Sequence, residues 1–165
     1  MSVRAPAALL LALAACAPAP AADNPPALTA QVEWTNLCSD WDDWDKPALP
    51  FRVADNTYYV GTCGISAILV TGDEGHVLID SGTEKGAEVV LANIRELGFD
   101  PRDVKILLHS HEHFDHVGGL ARLQQVTGAR LLASAEAAPV LASGETAAND
   151  PQAGMHDPFA AARVD

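Results

Sequence analysis

Hydrophobic positions along the chain fall into short runs separated by turn residues. Residues 58–60, 67–71 and 76–79 are rich in β-branched and aromatic side chains, and Gly72-Asp73-Glu74-Gly75 separates the last two runs. From about Phe51 onward this pattern predicts antiparallel strands joined by tight turns. The period then changes. Thr83 can cap a helix running to about Leu97, with Val89, Val90, Ala92, Asn93, Ile94 and Leu97 as its apolar stripe and Gly98 as its stop. Residues 101–103 restart the chain, and 104–108 read as a buried strand. A second helix is expected over about 119–126, ending at Gly128, then a strand around 130–133 and a weaker helix near 135–142 that Pro139 argues against. There is no internal repeat, no second domain boundary and no Gly-rich phosphate loop.

The densest chemistry follows the buried strand. His111-Glu112-His113-Phe114-Asp115-His116 packs three imidazoles and an aspartate into six residues, with Val117-Gly118-Gly119 behind it. Alternate side chains of an extended segment project to the same side, so His111 and His113 can converge on one ion. Asp115 and His116 sit at the turn beyond and offer a second, harder donor set. His109 extends the alternation, but a frame starting there puts Phe114 where the last His of His-x-His-x-Asp-His is required. His109 therefore reads as an outer partner that fixes a ligand's tautomer, or as a strand-end residue.

This signature resembles that of the metallo-β-lactamase superfamily. Asn56-Thr57-Tyr58-Tyr59-Val60-Gly61, Gly64-Ile65-Ser66-Ala67, Gly75-His76-Val77-Leu78-Ile79-Asp80, Ala92-Asn93-Ile94-Arg95 with Gly98-Phe99, and Asp150-Pro151-Gln152 resemble the third subclass of class B β-lactamases. The likeness covers about residues 34–155. It implies an α/β fold, namely the N-terminal half of an αββα sandwich, and a zinc-dependent hydrolase that opens the β-lactam ring through a metal-bound hydroxide. It also implies two zinc ions per complete site. One would be held by His111, His113 and a later His, the other by Asp115, His116 and another later His. Asp115 would also orient the nucleophile, and Asp80 would lie beneath the metal loop and brace it, the plain alternative being a turn residue before Ser81-Gly82.

His156 is the only His after His116, and its Pro- and Gly-bearing surroundings do not read as a strand end. The chain is thus expected to bring two of three protein ligands for each ion, and one sheet without the partner sheet of the resembled fold. Such a sheet would expose apolar surface and fold poorly alone. With two of three ligands per ion, metal affinity is expected to fall steeply and catalysis by these 165 residues to be close to absent. Hydrolases of other branches, acting on thioesters or lactones, share the metal loop. A non-catalytic envelope lipoprotein remnant would share every feature except turnover.

Residues 1–22 read as an export signal, with Arg4 ahead of an apolar run at 7–15 too short to span a bilayer, and residues 23–165 as the partial domain. Leu13-Ala14-Ala15-Cys16 resembles a lipobox, which would make Cys16 a lipidated membrane tether. A plain cleavage after Ala21 is the alternative. Either places the protein in the periplasm, in the first case anchored to the outer membrane. A Pro/Ala stretch at 17–26 should stay extended. Cys38 and Cys63 remain as an even count in a compartment where disulfides persist. They form either a bridge, as in some members of the resembled subclass, or two free thiols. Trp41 and Trp44 among Asp40, Asp42, Asp43 and Asp45 read as a solvated arm pinned by aromatic anchors, or as a cleft rim. The net charge of -12 argues against a nucleic-acid partner, whose phosphates require clustered Lys and Arg. A small-molecule β-lactam and a monomeric protein are the expectation.

Overall fold

The computed structural model describes residues 27–165. The export signal, Cys16 and the tether lie outside the described residues. Six strands, β1 (Phe51–Ala54), β2 (Thr57–Tyr59), β3 (Ile68–Val70), β4 (His76–Ile79), β5 (Val104–Leu108) and β6 (Arg130–Leu131), form one sheet in sequence order. The first three pairings are antiparallel, as the tight turns require, while β4–β5 and β5–β6 are parallel. Parallel neighbours need a crossover. Helix α2 (Gly86–Glu96) lies in the first crossover, and the second contains α3 (Phe114–Val117) and α4 (Leu120–Thr127).

Register sorts the side chains. Tyr58, Leu69, Leu78, Leu107 and Leu131 stand side by side across five strands. The four leucines are fully buried in one cluster with Val90, Leu91 and Ile94 of α2 and Leu120 and Leu123 of α4. Burying each leucine contributes roughly 1.5–3 kcal/mol. The opposite face carries Ile68, Val70, Val77, Ile79, Ile106 and Leu108, all only half-buried. Among the described residues no second sheet covers it.

Several boundaries differ from the sequence expectation for local reasons. Helix α2 starts at Gly86, yet the Thr83 hydroxyl accepts the Gly86 N–H at 3.1 Å, so Thr83 still satisfies an end donor. Its buried stripe is Ala87, Val90, Leu91 and Ile94, with Ala92 facing out. Asn93 is buried too, because its amide donates to the Val60 and Gly61 carbonyls at 3.0 Å each. Strand β6 stops at Leu131, and the weak helix becomes α5 (Ala138–Ser143), with Pro139 in its first turn, where a missing N–H costs little.

At the N-terminal side, α1 (Ala27–Leu37) was not foreshadowed by periodicity, since Val32 and Leu37 are exposed. It is fastened from its end. Cys38 and Cys63 are disulfide-bonded, with Cα atoms 5.1 Å apart, inside a small cluster with Ala48 and Tyr59. Trp34 packs edge-on against Tyr59 and Phe51 at ring separations of 5.6 and 6.3 Å. The aromatic pin of this arm is therefore Trp34, whereas Trp41 and Trp44 face solvent.

Candidate metal centre

Two strand ends meet at the site. The Asp80 N–H donates to the Leu108 carbonyl at 3.0 Å, continuing the β4–β5 pairing one residue past the strands. Asp80 then adopts a left-handed backbone, φ 65°, which aspartate tolerates better than most residues. Its carboxylate lies under the metal loop. Oδ1 accepts the Ser110 N–H at 2.7 Å, and Oδ2 accepts the Ser110 hydroxyl at 2.8 Å and lies 2.9 Å from Nδ1 of His116.

The three loop imidazoles cluster above. Ring centroids of His111 and His113 are 4.5 Å apart, and those of His111 and His116 4.2 Å. His116 Nδ1 faces Asp80, His111 Nδ1 lies 3.0 Å from the Ser110 hydroxyl, and His113 Nε2 lies 3.4 Å from Asp150 Oδ2. Among the described residues, His111 Nε2 and His113 Nδ1 have no hydrogen-bond partner, and His116 Nε2 has only the Asp115 carboxylate beside it. Asp115, buried in α3, accepts from the Gln152 amide through Oδ1 at 3.3 Å and turns Oδ2 to within 3.5 Å of His116 Nε2.

Charge follows the same geometry. The hydrogen bond to Asp80 raises the His116 pKa above its ordinary value, while burial, with repulsion from His116 and His113, lowers that of His111. Burial pushes the Asp80 carboxyl up, but the bonds from His116 and Ser110 outweigh it and hold the group below the usual carboxylate value. His111 is thereby biased to the neutral form that metal ligation requires.

These donors fit a transition metal. Imidazole nitrogens and a carboxylate oxygen with their opposite atoms anchored are a zinc-type set. They come in pairs, His111 with His113 and Asp115 with His116. Among the described residues, three metal-type donor atoms lie mutually within 4.8 Å at Cys38, Asp42 and Cys63, whereas no three of the loop donors approach one another that closely. There the sulfurs are bonded to each other and Asp42 pairs with Lys46 at 2.8 Å, so that group is structural.

His109 stands directly after β5 with a buried, unpartnered Nδ1, and no hydrogen bond joins it to the four donors among the described residues. His156 is engaged at both ring nitrogens, by Thr146 at 3.0 Å and by the Asp157 carbonyl at 2.8 Å, and stacks on Phe114. Sequence reasoning missed Ser110, which holds the outer contacts, and Ser81, whose N–H donates to the His116 carbonyl at 2.9 Å. It passed over the work of Asp150 and Gln152, because 38 residues separate Gln152 from Phe114 and no local pattern joins them. Gly119 closes the back of the loop. A Cβ there would lie 2.7 Å from the Thr83 carbonyl oxygen, so only glycine lets α4 approach the turn after β4.

A family model described as the metallo-beta-lactamase superfamily matches residues 60–156. Among solved structures, the MIM-2 metallo-beta-lactamase is 62% identical with a TM-score of 0.79, over 84% of this chain and 51% of that one. The MIM-1 enzyme from Novosphingobium pentaromativorans is 51% identical with a TM-score of 0.76, over 81% and 50%. An N-acyl homoserine lactonase, AttM, of Azorhizobium caulinodans is 30% identical, over 36% of this chain and 31% of its own. The chain spans about half the length of the solved structures it matches and about a third of the lactonase. With its metal-loop geometry and a family model matched over most of its length, the chain belongs to the metallo-β-lactamase superfamily.

Proposed function

We propose that this metal loop serves zinc-dependent hydrolysis of β-lactam antibiotics. The observation that carries the reading is the clustering of the His111, His113 and His116 rings above the Asp80 carboxylate, with Asp115 beside His116, in a chain 47–62% identical to solved metallo-β-lactamases. His111 with His113 would hold one ion and Asp115 with His116 a second. Zinc in such a setting supplies activation of water at neutral pH and polarisation of a carbonyl.

The chain's own residues prepare that chemistry. Asp80 keeps the proton of His116 at Nδ1, so Nε2 presents its lone pair. The Ser110 hydroxyl, 3.0 Å from His111 Nδ1, orients the neighbouring ring. Asp115 Oδ2, 3.5 Å from His116 Nε2, would orient an attacking water. The leader read from residues 1–22 would carry such an enzyme to the periplasm, where it meets its substrate outside the cytoplasm.

Lactone hydrolysis is the second reading, favoured by the lactonase match. The β-lactamase likeness is stronger in identity and in coverage. Stoichiometric protein incubated with a cephalosporin or an acyl homoserine lactone, with mass spectrometry counting ring-opened product, separates the two. Slow zinc-dependent opening of the cephalosporin, lost in Asp115→Ala, is expected. Opening of the lactone alone, or no zinc-dependent opening of either, would overturn the proposal.

A further inference from the structure

We infer that Gln152, itself set by Asp150, is a positioning residue that aims the Asp115 carboxylate at the metal site; the inference rests on the metal-site reading above. Gln152 touches α3 with both ends of its side-chain amide. Its Oε1 accepts the Phe114 N–H at 3.3 Å, and its Nε2 donates to Asp115 Oδ1 at 3.3 Å. One amide thus satisfies a donor in the first turn of α3 and occupies one oxygen of the next side chain. The other oxygen, Oδ2, is left facing His116 Nε2 at 3.5 Å.

Asp150 fixes the clamp. Its Oδ1 accepts the Gln152 N–H at 2.7 Å, a tight turn that sets where the Gln152 side chain departs, while its Oδ2 lies 3.4 Å from His113 Nε2. A short strap thereby touches a member of each donor pair, His113 of one and Asp115 of the other. Glutamine suits the role because it offers a donor and an acceptor on one rigid group. A carboxylate in its place would repel Asp115, and an apolar residue would leave Asp115 free to rotate.

The test uses the full chain titrated with cobalt(II), in unaltered, Gln152→Met and Asp150→Asn forms, read by d–d absorption and calorimetry. Gln152→Met keeps the bulk and removes both hydrogen bonds. We expect cobalt affinity to fall about 10- to 100-fold with a changed d–d spectrum, while the melting temperature of the metal-free chain holds. Unchanged affinity and spectrum would overturn the inference alone, as would an affinity loss matched by a lower metal-free melting temperature. An unaltered chain that takes up no cobalt would overturn the metal-site reading and this inference together. A metal-free readout stands beside these. The Gln152 side-chain amide protons should exchange more slowly in the unaltered chain than in Asp115→Ala, and equal rates would overturn the clamp.

Discussion

Asp80 Oδ2 lies 2.9 Å from Nδ1 of His116, and because an ionised carboxylate can only accept, that ring nitrogen carries the proton. The same carboxylate takes the backbone N–H and hydroxyl of Ser110. One side chain at the end of β4 thus fixes the tautomer of a donor and the path of the loop that bears it. Asp80→Asn tolerates the left-handed backbone but replaces an acceptor oxygen with a donor, so either a contact is lost or the His116 proton moves to Nε2, the nitrogen that would face the metal. Zinc affinity should fall about 10- to 100-fold with the circular dichroism spectrum unchanged. Equal affinity would remove Asp80 from the metal site.

Gly119→Ala should destabilise the protein without touching a metal donor. The added methyl meets the Thr83 carbonyl oxygen and the Ala87 methyl, both at 2.7 Å, and neither is the end of a flexible side chain. Overpacking of this kind costs about 1–3 kcal/mol, read as a lower denaturant midpoint. An unchanged midpoint would show that α4 can slide away from the turn.

The Cys38–Cys63 bond closes a loop of sequence separation 25, worth on the order of 3 kcal/mol by loop entropy. Replacing both cysteines with serine should lower stability by about that amount and expose Trp34, seen as a red-shifted fluorescence. Stability equal to the unaltered protein would mean that Trp34 packing alone holds α1.

Burial pushes the Tyr59 phenol up to about 12 from its ordinary 10.0, within the cluster around that bridge. As pH rises, the unfolded chain ionises first, so the stability carried by the neutral phenol is full below about pH 10 and is lost between about pH 10 and 12. Ultraviolet titration should show a tyrosinate component appearing near 12. Ionisation of Tyr59 near its ordinary 10.0 would contradict the buried placement.

Much of this was legible in the sequence because it is local. The apolar run Ile68, Leu69 and Val70, a Thr83 cap, and four donors within six residues are all short-range signals. Helix α1 was not, since it is stabilised by Trp34 and the bridge rather than by an amphipathic stripe. Nor was the support of the site. Ser110 sits 30 residues from Asp80, and Gln152 sits 37 from Asp115, pairings that only the folded sheet and its crossovers create.

The proposed function requires that His111 with His113, and Asp115 with His116, bind zinc. Zinc-edge X-ray absorption on the chain loaded with zinc and then dialysed tests it most directly. Nitrogen and oxygen donors near 2.0–2.2 Å with imidazole scattering are expected, as is loss of the bound zinc when the four are replaced by alanine. Absence of zinc after dialysis, or equal zinc in the fourfold variant, would contradict it.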